Sequence, residues 1–237
     1  MIPKIIHYCW FGRGEIPKLA KKCIETWHKY MPDWQFREWN EDVFDVTSIP
    51  YVKEAYEAGK YAFVSDYVRL FALKQYGGVY LDTDVEVFKP FDSLLNHEAF
   101  AGFEGSKHCP IGTCVIGSVA NGPWVNEQIQ PYYQRHFVLA NGHYDLTTNV
   151  SFITKRMMER GLICDGLEKD FDGLHIFPVD YFSPRQTTGE YFKTRNTYSD
   201  HLGANSWGKS QKKPIILRIA GPKFSIKLIK LKRKLLG

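Results

Sequence analysis

The chain has 237 residues, of which 44% are hydrophobic, 15% aromatic and 24% charged, an ordinary globular composition that argues against a disordered, fibrous or collagen-like chain. Its formal charge of +5 is unevenly spread: ten Lys or Arg and no acid follow His201, so residues 1–201 carry 21 basic against 26 acidic side chains. A nucleic-acid binder would instead spread positive charge over the folded face that tracks phosphates, so no nucleic-acid partner is expected.

Five cysteines, Cys9, Cys23, Cys109, Cys114 and Cys164, include no Cys-x-x-Cys pair and predict reduced, packed thiols. Cys109 and Cys114 lack a second His or Cys pair at a metal-clip spacing. The start, Met-Ile-Pro-Lys-Ile-Ile-His, has no long apolar run, and no stretch approaches the ~20 apolar residues of a spanning helix, so a cytoplasmic location is expected.

In chain order, residues 2–8 read as a buried strand. A Trp10-Phe11-Gly12-Arg13-Gly14 turn leads to a helix over about 17–30, with Pro17 at its first turn, and then to a strand at Gln35–Trp39. Strand, helix, strand is the opening of an α/β sheet with right-handed crossovers. A helix over about 60–76 is apolar around most of its circumference and stops at Gly77-Gly78, and a strand resumes at 79–81. Strands at 99–103 and 113–117 and helices at 123–133 and 147–160 follow, while 181–213 has the composition of a long functional loop.

The most informative run is Tyr80-Leu81-Asp82-Thr83-Asp84-Val85-Glu86, where an apolar strand ends in two carboxylates two residues apart. Ligands of open α/β sheets sit at the carboxyl ends of strands. Two adjacent carboxylates repel unless a cation stands beside them. A hard divalent ion, Mg²⁺ or Mn²⁺, would satisfy them and neutralise a departing diphosphate. An isolated Asp-x-Asp is otherwise a solvated turn. Asp66 and Arg69, three apart, share a helix face; they are either a structural ion pair or, on a helix otherwise apolar, a grip for ribose, sugar hydroxyls or phosphate.

Taken together, Ser65-Asp66-Tyr67-Val68-Arg69 and Tyr80 to Glu86 resemble the DXD-motif sugar transferases of glycosyltransferase family 32, which includes capsule and lipopolysaccharide sugar transferases and Golgi initiating mannosyltransferases. Their spacing is similar to that in the catalytic core of large glucosylating bacterial toxins. Ile2-Pro3-Lys4-Ile5-Ile6-His7-Tyr8-Cys9-Trp10-Phe11-Gly12 is similar to the family's first strand and donor loop, and His201 to Ser206-Trp207 resembles its terminal His-His-x-x-x-Ser-Trp element, with Leu202 in place of the second His. The resemblance spans residues 2–207.

It implies an α/β fold, a single GT-A type nucleotide-sugar-binding domain with a mixed central sheet over 1–213, and sugar transfer with retention of anomeric configuration. By position, Trp10 would stack on the base and Asn40 would touch the nucleotide. Asp66, Arg69 and Tyr80 would hold the donor sugar. Asp82 would contact ribose or sugar and the metal shell, Asp84 would ligate Mn²⁺ or Mg²⁺ directly, and His201 or Asn205 would complete the metal site. Ser206 and Trp207 would close over the diphosphate. Asp82, Asp84, Arg69 and Trp207 are thus the expected catalytic set, with a UDP-sugar preferred over a GDP-sugar. Residues 99–117 and 140–150 would shape sugar selection.

Residues 214–237 form a separate basic segment. From Lys223 on, Phe224, Leu228, Leu231 and Leu235 make one helical stripe, and Lys223, Lys227, Lys230 and Lys234 another beside it. Such an amphipathic helix suits an anionic membrane surface, where each Lys or Arg adds about 1 kcal/mol, or else it docks on the protein's own body. With the family resemblance, the expected acceptor is a lipid-linked saccharide in bacterial surface polysaccharide synthesis at the inner face of the cell membrane. Two other readings compete: a haloacid-dehalogenase-type phosphatase, which also uses a strand followed by Asp-x-Asp, and a non-catalytic surface-binding module that uses the tail.

Overall fold

The computed structural model describes residues 1–105, 109–185 and 190–204. In chain order the elements are β1 (Ile5–Cys9), α1 (Lys18–Tyr30), β2 (Gln35–Trp39), α2 (Pro50–Glu57), α3 (Tyr61–Tyr76), β3 (Gly78–Leu81), β4 (Val85–Val87), β5 (Ala99–Phe103), β6 (Ile111–Ser118), α4 (Pro123–Ile129), α5 (Asn149–Glu159), β7 (Lys169–Phe171), β8 (Leu174–Phe177), α6 (Val179–Phe182) and β9 (Ser199–His201). Seven strands make one sheet in the order β2-β1-β3-β6-β5-β8-β7, and β4 pairs with β9 in a two-stranded ribbon. The large sheet is mixed: β1 is parallel to β2 and β3, β6 is antiparallel to β3 and β5, and β8 is parallel to β5.

Alternation along the strands divides the core into two layers. Tyr80, Ala101 and Ile116 face a cluster with Val68, Leu73 and Ile153 of α3 and α5, while Val79, Leu81, Phe100 and Val115 face one with Trp27 of α1, Phe91 and Phe182. Helices therefore cover both faces of the sheet, which explains why its inner strands β3 and β5 read as continuous apolar runs. Trp27 also donates its indole N–H to the Val85 carbonyl (2.7 Å), so α1 fastens β4 as well as packing on the sheet.

The turn from α3 to β3 requires its two glycines. Gly77 and Gly78 have φ of 63° and 108°, and a Cβ on Gly78 would stand 2.5 Å from the Ile5 carbonyl oxygen. Their bare backbone lets β3 lie against β1. The same junction is fastened by His7, which donates from Nε2 to the Gly77 carbonyl (2.8 Å) and accepts at Nδ1 from the Trp39 indole (3.1 Å). Burial lowers its pKa to about 4, so it remains neutral in the tautomer those partners require.

The expected elements recur with shifted bounds, β6 beginning at Ile111 rather than residue 113 and α5 running Asn149–Glu159, while α2, β4, β7 and β8 are not among them. The first strand begins at Ile5 rather than residue 2, because the Ile5 N–H turns back to the Pro3 carbonyl (2.8 Å). The helix expected over 123–133 ends at Ile129 and tightens into a 3₁₀ turn at Gln130–Tyr133, where Pro131 has no N–H for the α-helical ladder. The expected loop after residue 181 begins inside α6 and contains β9. The basic segment 214–237 lies outside the described residues.

Candidate active site

The parallel strands β1, β2 and β3 end at one edge of the sheet. From β1 the chain passes through α1 to β2 on one side, then returns through α2 and α3 to β3 on the other, so a switch point lies between β1 and β3. β5 runs in the same direction as β3, since both oppose β6, and its carboxyl end brings Glu104 to this edge. A cavity of about 230 Å³ opens here, with Asp66, Arg69, Tyr80, Asp82, Asp84 and His201 in its walls.

Arg69 organises one side. Its guanidinium donates to the Thr113 carbonyl (2.9 Å) and hydroxyl (2.7 Å), reaches Asp66 Oδ1 (3.1 Å) and Asp82 Oδ1 (3.3 Å), and stands over the Tyr80 ring at 4.6 Å. Tyr80 donates its hydroxyl to the same Asp82 oxygen (2.9 Å), and burial holds its pKa well above the ordinary phenol value, so it stays a donor. Asp66 is 7% exposed. Burial pushes its pKa up to about 6, against the opposing pull of Arg69 and of the Asn149 N–H, which donates to Oδ2 at 3.0 Å. The first turn of α5, with its positive dipole end, thus faces the Asp66 carboxylate.

Asp84 organises the other side. Its Oδ2 accepts from the Ala204 N–H (2.6 Å), its main-chain carbonyl accepts from the Leu202 N–H (3.0 Å), and its Oδ1 lies 3.4 Å from His201 Nε2. The β4–β9 ladder places that histidine, pairing Val85 with His201. Burial pushes the Asp84 pKa up, but the hydrogen bond from His201 wins and holds it below the ordinary carboxylate value. Burial likewise pushes His201 down, yet its pKa is held well above the ordinary imidazole value by Cys114 and Asp84.

Donor atoms of Asp82, Asp84 and His201 lie within 4.8 Å of one another. Two carboxylates and an imidazole converging in this way fit a divalent cation that takes oxygen and nitrogen donors. Leu202 contributes only main chain, so among the described residues His201 is the imidazole next to the carboxylate pair.

Not every expected residue joins this cavity. Trp10 follows β1 at the same edge, but it is 8% exposed and its indole N–H is taken by the Gly14 carbonyl (2.6 Å). Asn40 folds onto its own loop, donating to Glu38 (2.8 Å) and accepting from the Asp42 N–H (3.0 Å). Neither lines the cavity. Asn205, Ser206 and Trp207 lie outside the described residues.

The cavity also brings in residues the motif reading did not select. Thr113, Thr148, Asn149 and Val150 line it, within the two segments expected to shape sugar selection. Asn149 is 1% exposed, donates from Nδ2 to the Asp66 carbonyl (2.7 Å) and accepts from the Tyr132 hydroxyl (2.5 Å). Its sequence signal was a polar residue at a helix start after Thr148, which reads first as capping. Glu104 was signalled by a charge directly after an apolar strand.

Residues 17–101 match the family model described as a glycosyltransferase sugar-binding region containing a DXD motif. That match covers 85 of the 237 residues. The DXD region contains Asp66, Arg69, Tyr80, Asp82 and Asp84, five residues of the cavity. The chain is similar to inositol phosphoceramide mannosyltransferase 3 of Schizosaccharomyces pombe, 36% identical over 107 residues covering 42% of this chain and 29% of that protein. It is also similar to mannosyl phosphorylinositol ceramide synthase SUR1 of Saccharomyces cerevisiae, 32% identical over 130 residues covering 52% of this chain and 33% of that protein. The match spans about a third of the length of these curated relatives. Their names speak of mannosyl transfer in fungi, whereas bacterial surface polysaccharide was expected from the sequence.

Among solved structures, PaToxG Glycosyltransferase superposes with a TM-score of 0.51 at 21% identity over 68% of this chain and 69% of that one. A glycosyltransferase involved in glycosylation of the major capsid of PBCV-1 superposes with a TM-score of 0.50 at 15% identity over 85% and 95%. At such identities the likeness speaks for the fold: a GT-A type α/β architecture around a mixed seven-stranded sheet.

Proposed function

We propose that the chain is a divalent-cation-dependent, retaining glycosyltransferase that moves a sugar from a nucleotide sugar to a hydroxyl of a saccharide acceptor. The observation that carries this reading is the convergence of Asp66, Arg69, Tyr80, Asp82, Asp84 and His201 on one cavity at the carboxyl edge of the sheet. A phosphatase reading accounts for the carboxylate pair but not for the Arg69 hub or the family match.

Asp66 and Arg69 bind and orient the donor sugar: one offers a carboxylate to hydroxyls, the other a fixed guanidinium whose geometry Thr113 sets. Tyr80 holds Asp82 in place. Asp82, Asp84 and His201 would hold Mn²⁺ or Mg²⁺, which when bound supplies positive charge opposite the diphosphate. In a front-face displacement the acceptor oxygen bonds to the anomeric carbon as the carbon–oxygen bond to phosphate breaks on the same side. The departing phosphate oxygen keeps the electron pair and accepts the acceptor's proton, so no protein nucleophile is required. Ser206 and Trp207 are assigned to closing over the diphosphate on sequence position, and Trp10 and Asn40 to the nucleotide on the same ground.

The proposed donor is a UDP-sugar before a GDP-sugar, and the proposed acceptor is lipid-linked, a preference supported by the ceramide named in both curated relatives. Among the described residues no helix is long and apolar enough to cross a membrane. The Lys and Leu pattern of residues 223–235 supports peripheral attachment to an anionic membrane on its cytoplasmic side.

A panel of UDP- and GDP-sugars tested for Mn²⁺-dependent hydrolysis probes the core of this reading, because slow donor hydrolysis needs no acceptor. Asp84→Ala is expected to lower that hydrolysis by at least about 100-fold with the fold intact by circular dichroism. Release of no nucleotide from any donor, or undiminished release by the variant, defeats the reading. Flotation with anionic liposomes, comparing the intact chain with one ending at Pro222, tests attachment; equal flotation removes the membrane assignment.

A further inference from the structure

A second cluster of metal-ligating side chains stands at the opposite side of the sheet from the DXD cavity. β7 and β8 form an antiparallel pair in which Asp170 lies directly across from His175. Cross-strand partners project from the same face, and Glu168, two residues before Asp170, projects with them. His175 is also in register with Phe100 of β5, which brings it beside His97, two residues before that strand begins. The two imidazoles are nearly parallel, 4.0 Å between centroids and 21° between planes, on an apolar floor made by Phe177. Donor atoms of His97, Asp170 and His175 lie within 4.8 Å of one another.

The hydrogen bonds around His175 give this cluster a direction. Its Nε2 faces Glu168 Oε1 at 3.1 Å and its Nδ1 faces Asp170 Oδ1 at 2.8 Å. A carboxylate can only accept, so a neutral ring that donates from Nε2 to Glu168 turns an Nδ1 lone pair toward the Asp170 oxygen. Lone pair against carboxylate is repulsive unless a cation joins them. Glu168 occupies the position of an outer carboxylate that fixes the tautomer of a metal-bound histidine.

We propose that His97, His175 and Asp170 form a second divalent-metal site, oriented by Glu168. Two imidazoles and one carboxylate select a late first-row ion such as Zn²⁺, Co²⁺ or Ni²⁺ over Mg²⁺ or Ca²⁺, which prefer all-oxygen sets. Three protein donors leave water the remaining positions. An ion there ties the β7–β8 hairpin at the sheet edge to the segment leading into β5. This site is independent of the proposed transferase chemistry.

Co²⁺ titration of the full chain in excess Mg²⁺, followed by visible absorption and by thermal unfolding, provides the test. Wild type is expected to take up one equivalent with a nitrogen and oxygen ligand spectrum that lacks a thiolate band, and its unfolding midpoint is expected to rise. His97→Ala and Asp170→Asn each weaken that binding by at least about tenfold, Glu168→Gln weakens it about 10- to 100-fold, and Asp84→Asn leaves it unchanged. Asp170 is 85% exposed, so its variant folds even if His97→Ala does not. The proposal falls if Asp170→Asn binds Co²⁺ as tightly as wild type, or if wild type binds none.

Discussion

Arg69 shows how one buried charge can join several parts of the fold at the candidate site. It satisfies Thr113, Asp66 and Asp82 together, at 2.7–3.3 Å, from a side chain only 6% exposed. Replacing it by Met takes the charged partner from two carboxylates and a donor from the Thr113 carbonyl, and denaturant unfolding is expected to register a loss of about 3–5 kcal/mol. Asp66 behaves in the opposite way. Its pKa of about 6 means the folded state binds this proton more tightly than the unfolded chain, so its contribution to stability falls as pH rises from 3.8 through about 6. At pH 7 the charge is therefore held at a cost, and Asp66→Asn is expected to be at least as stable as wild type. Its KM for the donor in the hydrolysis assay should nonetheless rise about 10- to 100-fold, the loss of a charge-assisted hydrogen bond. Asn149 could not be read from the sequence because its role exists only where the start of α5 meets α3.

At the scale of elements, β5 could be bounded closely because its apolar run is followed directly by Glu104, and α3 because it is long and ends in Gly77-Gly78. The strands β4, β7 and β9 have three residues each, too few for a periodic signal, and Ser199-Asp200-His201 is wholly polar. What makes β9 a strand is its partner, β4, more than a hundred residues earlier. The His201–Asp84 pair closes that ribbon. His201, raised above 6.5, contributes stability that is full below that value and fades as pH climbs through its folded pKa. Asp84, lowered from 3.8, contributes stability that is full above that value and fades as pH drops through its folded pKa. The stability lost in His201→Gln should thus be largest between about pH 3.8 and 6.5 and shrink in more alkaline buffer, as thermal unfolding across pH would record. A cation must displace the His201 proton, so its apparent affinity is expected to increase with pH over the range in which His201 is protonated. Gly78→Ala is expected to destabilise by about 1–3 kcal/mol through its positive φ and the Ile5 carbonyl, with unfolding in denaturant as the check.

Across the whole molecule, charge and chemistry are separated. Residues 1–201 carry the carboxylates of the cavity and an excess of acid, while ten basic residues follow without a single acid. If that segment meets the membrane electrostatically, liposome flotation should fall steeply as salt shortens the Debye length from about 10 Å at 0.1 M toward 3 Å at 1 M, while donor hydrolysis at the largely buried cavity residues changes less. Flotation that survives high salt would assign the attachment to the apolar stripe instead. The basic excess was legible from composition, but the division of the core into two layers was not, since it depends on which face of each strand meets which helix.

The β4–β9 ribbon bears on when the protein becomes active during synthesis. The carboxylates of Asp82 and Asp84 are made early, yet the groups that hold Asp84, His201 and the N–H of Ala204, come from 117 and 120 residues later. A chain still emerging from the ribosome lacks the partners of Asp84 that the proposed cation site needs. An unfinished or prematurely terminated copy would thus carry the whole DXD motif without His201, so if the proposed cation site is right, donor hydrolysis waits on the late docking of β9.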